Sequence, residues 1–184
     1  MRSVRDGARA LREALGAEGG TVAGLVADPD AGDDSGTLDR PGPAQVGATG
    51  PRTRGREGEY EVLLEMILEG YRLHYDAPLV VRPGDNDLAL LLGDQLYALG
   101  LTRLAELGDL DAVAELADVI SLAAQAHSAS DPELAQAVWE AGAVSVGWGP
   151  SEDHRRAKER AQAHAPDASE ALRAAAASRR DATS

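Results

Sequence analysis

The chain has 184 residues, contains no cysteine, and carries 31 acidic against 18 basic side chains, for a formal net charge of −13. The absence of cysteine excludes disulfide bonds, thiolate metal sites and cysteine nucleophiles. The negative charge repels phosphate backbones and anionic lipid surfaces, which argues against binding to nucleic acid or to membrane surfaces.

The N-terminal part of the sequence is predicted to contain little folded structure. Residues 1–17 predict a short amphipathic helix, with Val4, Ala8, Leu11 and Leu15 on its apolar side. Residues 18–58 are rich in glycine, aspartate, proline, threonine and arginine and hold almost no large apolar side chains. Because such a segment buries too little apolar surface to offset its chain entropy, we expect a disordered linker.

Residues 59–150 are predicted to form a helical core. Four helices are expected over residues 59–75, 88–107 and 110–127, and from residue 132 to the GWGP sequence at 147–150. Pro78 is expected to end the first helix, and either Asp85 or Asp87 to cap the second. Asp109 and Asp131 are expected to cap the third and the fourth.

The longest apolar run, LALLLGDQLYALGLTRL at residues 88–104, is predicted to be a buried soluble helix. It is interrupted by Asp94, Gln95 and Arg103, and a charge in the middle of a membrane span is costly. The N-terminus also lacks the long apolar segment of a secretory signal. We therefore expect no stable membrane insertion and a cytoplasmic location.

Residues 151–184 predict a polar helical tail rich in alanine and arginine. No part of the chain shows the alternating pattern of a strand, and no internal repeat is visible. The predicted fold class is all-α, an antiparallel array of four to five helices preceded by a disordered N-terminal region.

Three glutamates of the first core helix, Glu61, Glu65 and Glu69, are spaced to lie on one helix face. Arg72 follows Glu69 by three residues and can pair with it. The ordinary interpretation is a polar helix edge that faces water and has one ion pair. The alternative is a set of metal ligands.

Asp94 interrupts an almost fully apolar helix. A carboxylate buried there needs a partner, because an isolated buried charge is costly. Either Asp94 bonds to a neighbouring residue such as Tyr71 or Arg72, or it lines a polar cavity.

Together these features resemble the trans-prenyltransferases, the polyprenyl diphosphate synthase family. That family has an aspartate-rich helix, D-D-x-x-D, then an R-R-G-x-P turn and a helix reading A-[IL]-L-x-G-D-x-L. In this chain Pro78 matches the proline of the turn, and residues 89–96 read ALLLGDQL. Counting back from the proline, Glu65 and Glu69 fall where the first and last motif aspartates belong.

The resemblance implies an isoprenoid synthase fold and a degraded form of the family's site. In the family, two facing aspartate clusters hold Mg²⁺ ions, which bind the diphosphate of the substrate. When the family's site residues are transferred to the matching positions of this chain, the resemblance implies that Glu65 and Glu69 are Mg²⁺ ligands. It also implies that Arg72, His74 and Asp94 bind the substrate. No residue is assigned a catalytic role.

The resemblance covers residues 61–120, weakens towards residue 149, and has clear departures. Met66 replaces the second motif aspartate, and residues 74–76 read His-Tyr-Asp in place of the arginines and glycine of the turn. A second aspartate-rich motif is not found in the sequence. We therefore expect prenyl transfer by the chain alone to be absent or very weak.

The favoured function is a non-catalytic accessory or regulatory subunit, or an isoprenoid-binding protein, in isoprenoid biosynthesis. The partner would be a full-length prenyltransferase or a second copy of the chain. Such a contact is expected to use the apolar positions of the third core helix, Leu110, Val113, Ala117 and Ile120.

Two other functions stay open. One is a helical scaffold or interaction protein without a ligand. The other is a residual metal-dependent prenyl diphosphate transferase or a hydrolase, the hydrolase using Glu61, Glu65, Glu69 and His74.

Overall fold

A computed structural model describes residues 2–26 and 36–182 of the chain. Its α-helices are α1 (Val4–Glu18), α2 (Gly20–Ala23), α3 (Pro43–Ala48), α4 (Glu57–Tyr75), α5 (Asn86–Glu106), α6 (Leu110–Ser128), α7 (Pro132–Trp148), α8 (Glu152–Gln162) and α9 (Ala168–Asp181). Short 3₁₀ turns lie at Gly36–Asp39 and Pro51–Thr53. The described residues contain no strand, and the all-α prediction is confirmed.

Local capping explains where the core helices begin. The side chains of Asp85, Asp109 and Asp131 accept hydrogen bonds from the backbone N–H groups of Leu88, Ala112 and Leu134. These bonds satisfy N–H groups that have no partner inside the helix. The predicted caps at α6 and α7 are confirmed, and of the two candidates at α5 it is Asp85 that caps the helix.

Helix α4 lies at the centre of the array. Twelve of its nineteen residues are buried, and it contributes to two neighbouring apolar clusters. Leu63 and Ile67 belong to the cluster that also holds residues of α3, α6 and α7, whereas Met66 and Leu73 belong to the cluster that holds residues of α1, α5 and Val80. The sequence of α4 is therefore constrained on almost every side.

Glycines let α4 and α5 approach closely. A methyl group added at Gly93 would lie 2.6 Å from the ring of His74 and 3.0 Å from the carbonyl oxygen of Gly70. One added at Gly100 would lie 2.5 Å from Ile67. Gly93, the glycine that precedes Asp94 in the motif, thus allows the close packing of α4 against α5.

The stretch predicted to be a disordered linker requires a correction. Residues 27–35 lie outside the described residues, but residues 36–58 are folded and include α3, where Ala44, Gln45 and Ala48 are buried. Gly50 lies against the backbone of Gly147 with no room for a side chain. Composition misses this segment because it packs through small residues and close backbone contact, not through large apolar side chains.

The C-terminal tail folds back onto the core. Helix α9 packs on α7 and α8, and Leu172 and Ala175 are buried in the main apolar cluster. Within residues 2–26 and 36–182, no helix is both long enough and apolar enough to cross a membrane.

Candidate functional site

The acidic face of α4 lies inside the protein. The exposed fractions of Glu61, Glu65 and Glu69 are 3%, 0% and 0%. The prediction of a polar edge facing water is therefore wrong. Helices α1 and α3 cover this face, and a methyl group added at Gly7 of α1 would come within 2.9 Å of Glu65 Oε1.

Glu69 binds the backbone that follows α4. Its Oε1 atom accepts hydrogen bonds from the N–H groups of Val80 (2.6 Å) and Val81 (2.9 Å), and its Oε2 accepts from Leu79 (3.0 Å). Arg72 also donates to Oε2 over 3.2 Å. Both carboxylate oxygens are engaged, so Glu69 fixes the connector between α4 and α5.

Gln45 donates to both Glu65 and Glu61 and so links them. Gln45 Nε2 lies 2.8 Å from Glu65 Oε1 and 3.2 Å from Glu61 Oε1, and Arg2 Nη1 lies 2.8 Å from Glu61 Oε2. Burial raises the pKa of Glu61, although Gln45 and Arg2 act in the opposite direction. The face is thus a connected network that ties α1 and α3 to α4.

Arg72 supplies the central positive charge. Its Nη1 atom lies 3.2 Å from Glu65 Oε2 and 3.2 Å from Glu69 Oε2, which confirms the predicted pair with Glu69 and adds a second partner. Burial lowers the pKa of Arg72, but the two carboxylates raise it by more, so the pKa lies above its ordinary value. Arg72 is a permanent cation here.

The position of Arg72 bears on the predicted Mg²⁺ ligands, Glu65 and Glu69. The two carboxylates converge on the guanidinium of Arg72, where a shared metal ion would have to sit. No group of three or more histidine, aspartate or glutamate side chains in residues 2–26 and 36–182 is placed to hold a metal ion. A Mg²⁺ site on these glutamates stays a prediction, and it requires the displacement of Arg72.

His74 and Asp94 lie together, away from this network. His74 Nε2 is 3.1 Å from Asp94 Oδ1, and the His74 ring stacks on Tyr97 at 5.4 Å between centroids. The Asp94 side chain is 73% exposed, so the expectation of a buried carboxylate is wrong. Gly93 occupies the inward position, and Asp94 at the next position points outward.

The predicted substrate-binding set therefore divides in two. Arg72 is bonded to the buried glutamates, whereas His74 and Asp94 contact each other at the outer edge of α4 and α5. In the described part of the chain, no hydrogen bond or ion pair joins Arg72 to either residue.

A second buried polar cluster was missed by the sequence analysis. His154 of α8 lies 2.7 Å from Glu115 of α6, and Lys158 lies 2.9 Å from the same carboxylate and 2.7 Å from Asp118. Burial raises the pKa of Glu115, but His154 and Lys158 outweigh it, and the pKa lies below its ordinary value. The sequence held one indication of this cluster, because Glu115 lies among the apolar residues on the buried side of α6.

Helix α5 and the first residue of α6 present exposed apolar side chains, here called the α5–α6 face and defined by Leu90, Leu91, Ala98, Ala105 and Leu110. The exposed fractions of Leu90, Leu91 and Leu110 are 45%, 67% and 65%, and both alanines are exposed. Apolar side chains surround α5, yet only five of its residues are buried. A helix that is apolar on all sides is typically buried on all sides.

Comparisons with protein-family models, with curated proteins and with solved structures found no match.

Proposed function

We propose that the chain is a non-catalytic helical interaction subunit that pairs with a second copy of itself through the α5–α6 face. The proposal includes distant descent from the trans-prenyltransferases, and with it an accessory or regulatory role in isoprenoid biosynthesis. The observation that carries the pairing is the apolar outer surface of α5. The buried contacts of Glu65 and Glu69 support the lack of catalysis.

The outer surface of α5 has the composition of a protein contact. Between Leu90 and Ala105 its only acidic residue is Asp94, and its only basic residue, Arg103, pairs with Glu18 of the same chain. Within one copy, α5 packs against α4 and, less extensively, α6. Exposed leucine and alanine side chains grouped on one helix indicate a candidate site of association.

The spacing of the exposed residues favours pairing with an identical helix. Leu91, Ala98 and Ala105 recur every seven residues, the spacing of a helix–helix seam. If two α5 helices cross antiparallel about Ala98, Leu91 of one copy lies opposite Ala105 of the other. Asp94 then lies opposite Thr102, whose hydroxyl can donate to the carboxylate. Leu91 thus meets a small residue and Asp94 meets a polar one, while Leu90 lies opposite Glu106 at the margin of the pairing.

The buried acidic network gives the reason to expect no catalysis. A diphosphate-binding site needs carboxylates free to hold Mg²⁺. Here Glu69 accepts three backbone N–H groups, and Arg72 forms ion pairs with both Glu65 and Glu69. These contacts stabilise the fold and leave no vacant pair of ligands.

The test is sedimentation velocity of the full chain over a range of concentrations. Wild type should show a concentration-dependent dimer, and Ala98→Glu should be a monomer because it buries a charge at the crossing point. Ala174→Glu is the matched control, since Ala174 is an exposed helical alanine on α9. It should remain a dimer.

A wild-type chain that stays monomeric at every accessible concentration would overturn pairing with itself. Affinity capture from the source organism then separates the remaining options. Recovery of a full-length prenyltransferase through the α5–α6 face would keep the accessory role with a different partner. Recovery of no prenyltransferase would leave the accessory role without support.

A further inference from the structure

We infer that a cavity between α3, α7 and α9 binds a small amphiphile that has an apolar chain and one anionic head group. This α7–α9 cavity has a volume of about 530 Å³, within the range of small-molecule sites. It involves neither α5 nor α6, so the inference is independent of the proposed self-pairing. Its lining includes the apolar side chains of Val4, Val46, Val144 and Ala177.

Most charged residues that line the cavity are positive, whereas the whole protein is negatively charged. Three arginines, Arg40, Arg173 and Arg180, line it together with a single glutamate, Glu140, in a chain whose net charge is −13. Guanidinium groups bind carboxylate and phosphate oxygens through paired hydrogen bonds. Arginines at the edge of an apolar cavity therefore indicate an anionic head group on an apolar ligand.

Part of this positive charge is not matched by the protein. Arg173 Nε lies 2.9 Å from Glu140, and Arg173 Nη1 lies 2.9 Å from Glu133. The Glu140 carboxylate also accepts a hydrogen bond from Gln136. By contrast, the side chain of Arg40 makes no ion pair or hydrogen bond within residues 2–26 and 36–182. Arg40 is thus available to a ligand at the rim.

A second cavity adjoins the first and has a mixed polar and apolar lining. It has a volume of about 420 Å³ and shares Pro43 and Gln136 with the first. Tyr71 and Trp139 line it together with Arg72, Asp76 and His127. Because the two cavities adjoin, an apolar chain whose head group lies at Arg40 can continue towards Trp139. The paired volumes favour an extended ligand over a compact one.

The first experiment is isothermal titration of the full chain with decanoate, decyl phosphate and decyltrimethylammonium, each below its critical micelle concentration. These probes share one apolar chain and differ in their head groups. The two anions should bind, and the tighter of them identifies the head group as carboxylate or phosphate. The cation should bind at least tenfold more weakly, on the order of a single charged contact. Equal binding of the cation, or no binding of either anion, would overturn the inference.

Two variants locate the binding. Arg40→Gln should weaken binding of the anionic probe by about fivefold or more, because it removes a charged donor. Arg56→Gln is the matched control, since Arg56 is an exposed arginine that pairs with Glu59 outside the cavity. Its binding should equal that of wild type.

Filling the cavity tests the site for the apolar chain separately from the charge. Ala177→Leu places extra carbon atoms in the α7–α9 cavity and should abolish binding, whereas Ala174→Leu on the same helix should not. Anion binding that is unchanged in both Arg40→Gln and Ala177→Leu would show nonspecific adsorption and refute the site.

Discussion

The replacement Glu69→Gln tests whether the acidic face of α4 is structural. Glu69 Oε1 accepts from Val80 and Val81, and Oε2 accepts from Leu79 and Arg72. A glutamine has only one acceptor oxygen and presents an NH₂ group at the other position. In either orientation, two donors lose their acceptor and face another donor.

The expected loss of stability follows from the two donors that lose their acceptor. A buried donor left without a partner costs about 1–3 kcal/mol. For two such donors we expect Glu69→Gln to lower the free energy of unfolding by ~2–6 kcal/mol, out of a typical total of ~5–15 kcal/mol. Urea denaturation followed by circular dichroism measures the change directly, provided that the denaturant slope is unaltered.

Glu59→Gln is the control for Glu69→Gln. Glu59 lies on the same helix, but it is exposed and pairs only with exposed Arg56. Exposed ion pairs contribute little to stability, so no resolvable loss is expected. If Glu69→Gln is as stable as wild type, or more stable, the structural interpretation is refuted. A Mg²⁺-dependent rise in the melting temperature of wild type that is lost in Glu69→Gln would instead support a metal site.

Three further outcomes are expected. Because the pKa of Glu115 lies below its ordinary value of 4.5, its stabilising contact with His154 is present above that pH and is lost as the pH falls through the lowered pKa. The free energy of unfolding, measured as the pH is lowered, should therefore fall less in Glu115→Gln than in wild type. Gly93→Ala should destabilise the fold by ~1–3 kcal/mol, because the added methyl group overlaps His74, whereas Gly84→Ala has open space and should cost less. Finally, added salt should strengthen self-association, because it screens the repulsion between two copies of net charge −13.

The local features of the fold could be predicted from the sequence. The caps at Asp109 and Asp131 and the stop before Pro78 place helix ends close to those in the structure, since each signal acts within a few residues. The pair between Glu69 and Arg72 was predictable for the same reason, because residues three apart on a helix are neighbours.

The features that were missed depend on residues distant in the chain. The acidic face of α4 was expected to face water because Gln45 lies in a segment predicted to be disordered, and no local signal indicated that the N-terminal residues around Arg2 pack on α4. Asp94 was expected inside because its helix is apolar, but only one side of α5 is covered. In both cases, side-chain chemistry was clear from the sequence, and burial was decided by tertiary packing.

Cross-linking of Ala98→Cys tests the central proposal most directly. The chain has no cysteine, so the introduced thiol is unique, and the proposed two-fold axis places it opposite its own copy. Under mild oxidation we expect rapid formation of a disulfide-linked dimer, because helices that cross at small residues bring their Cβ atoms within bonding range. Ala174→Cys should remain largely monomeric. Equal cross-linking of the two variants, or no cross-linking of Ala98→Cys, would contradict self-association through the α5–α6 face.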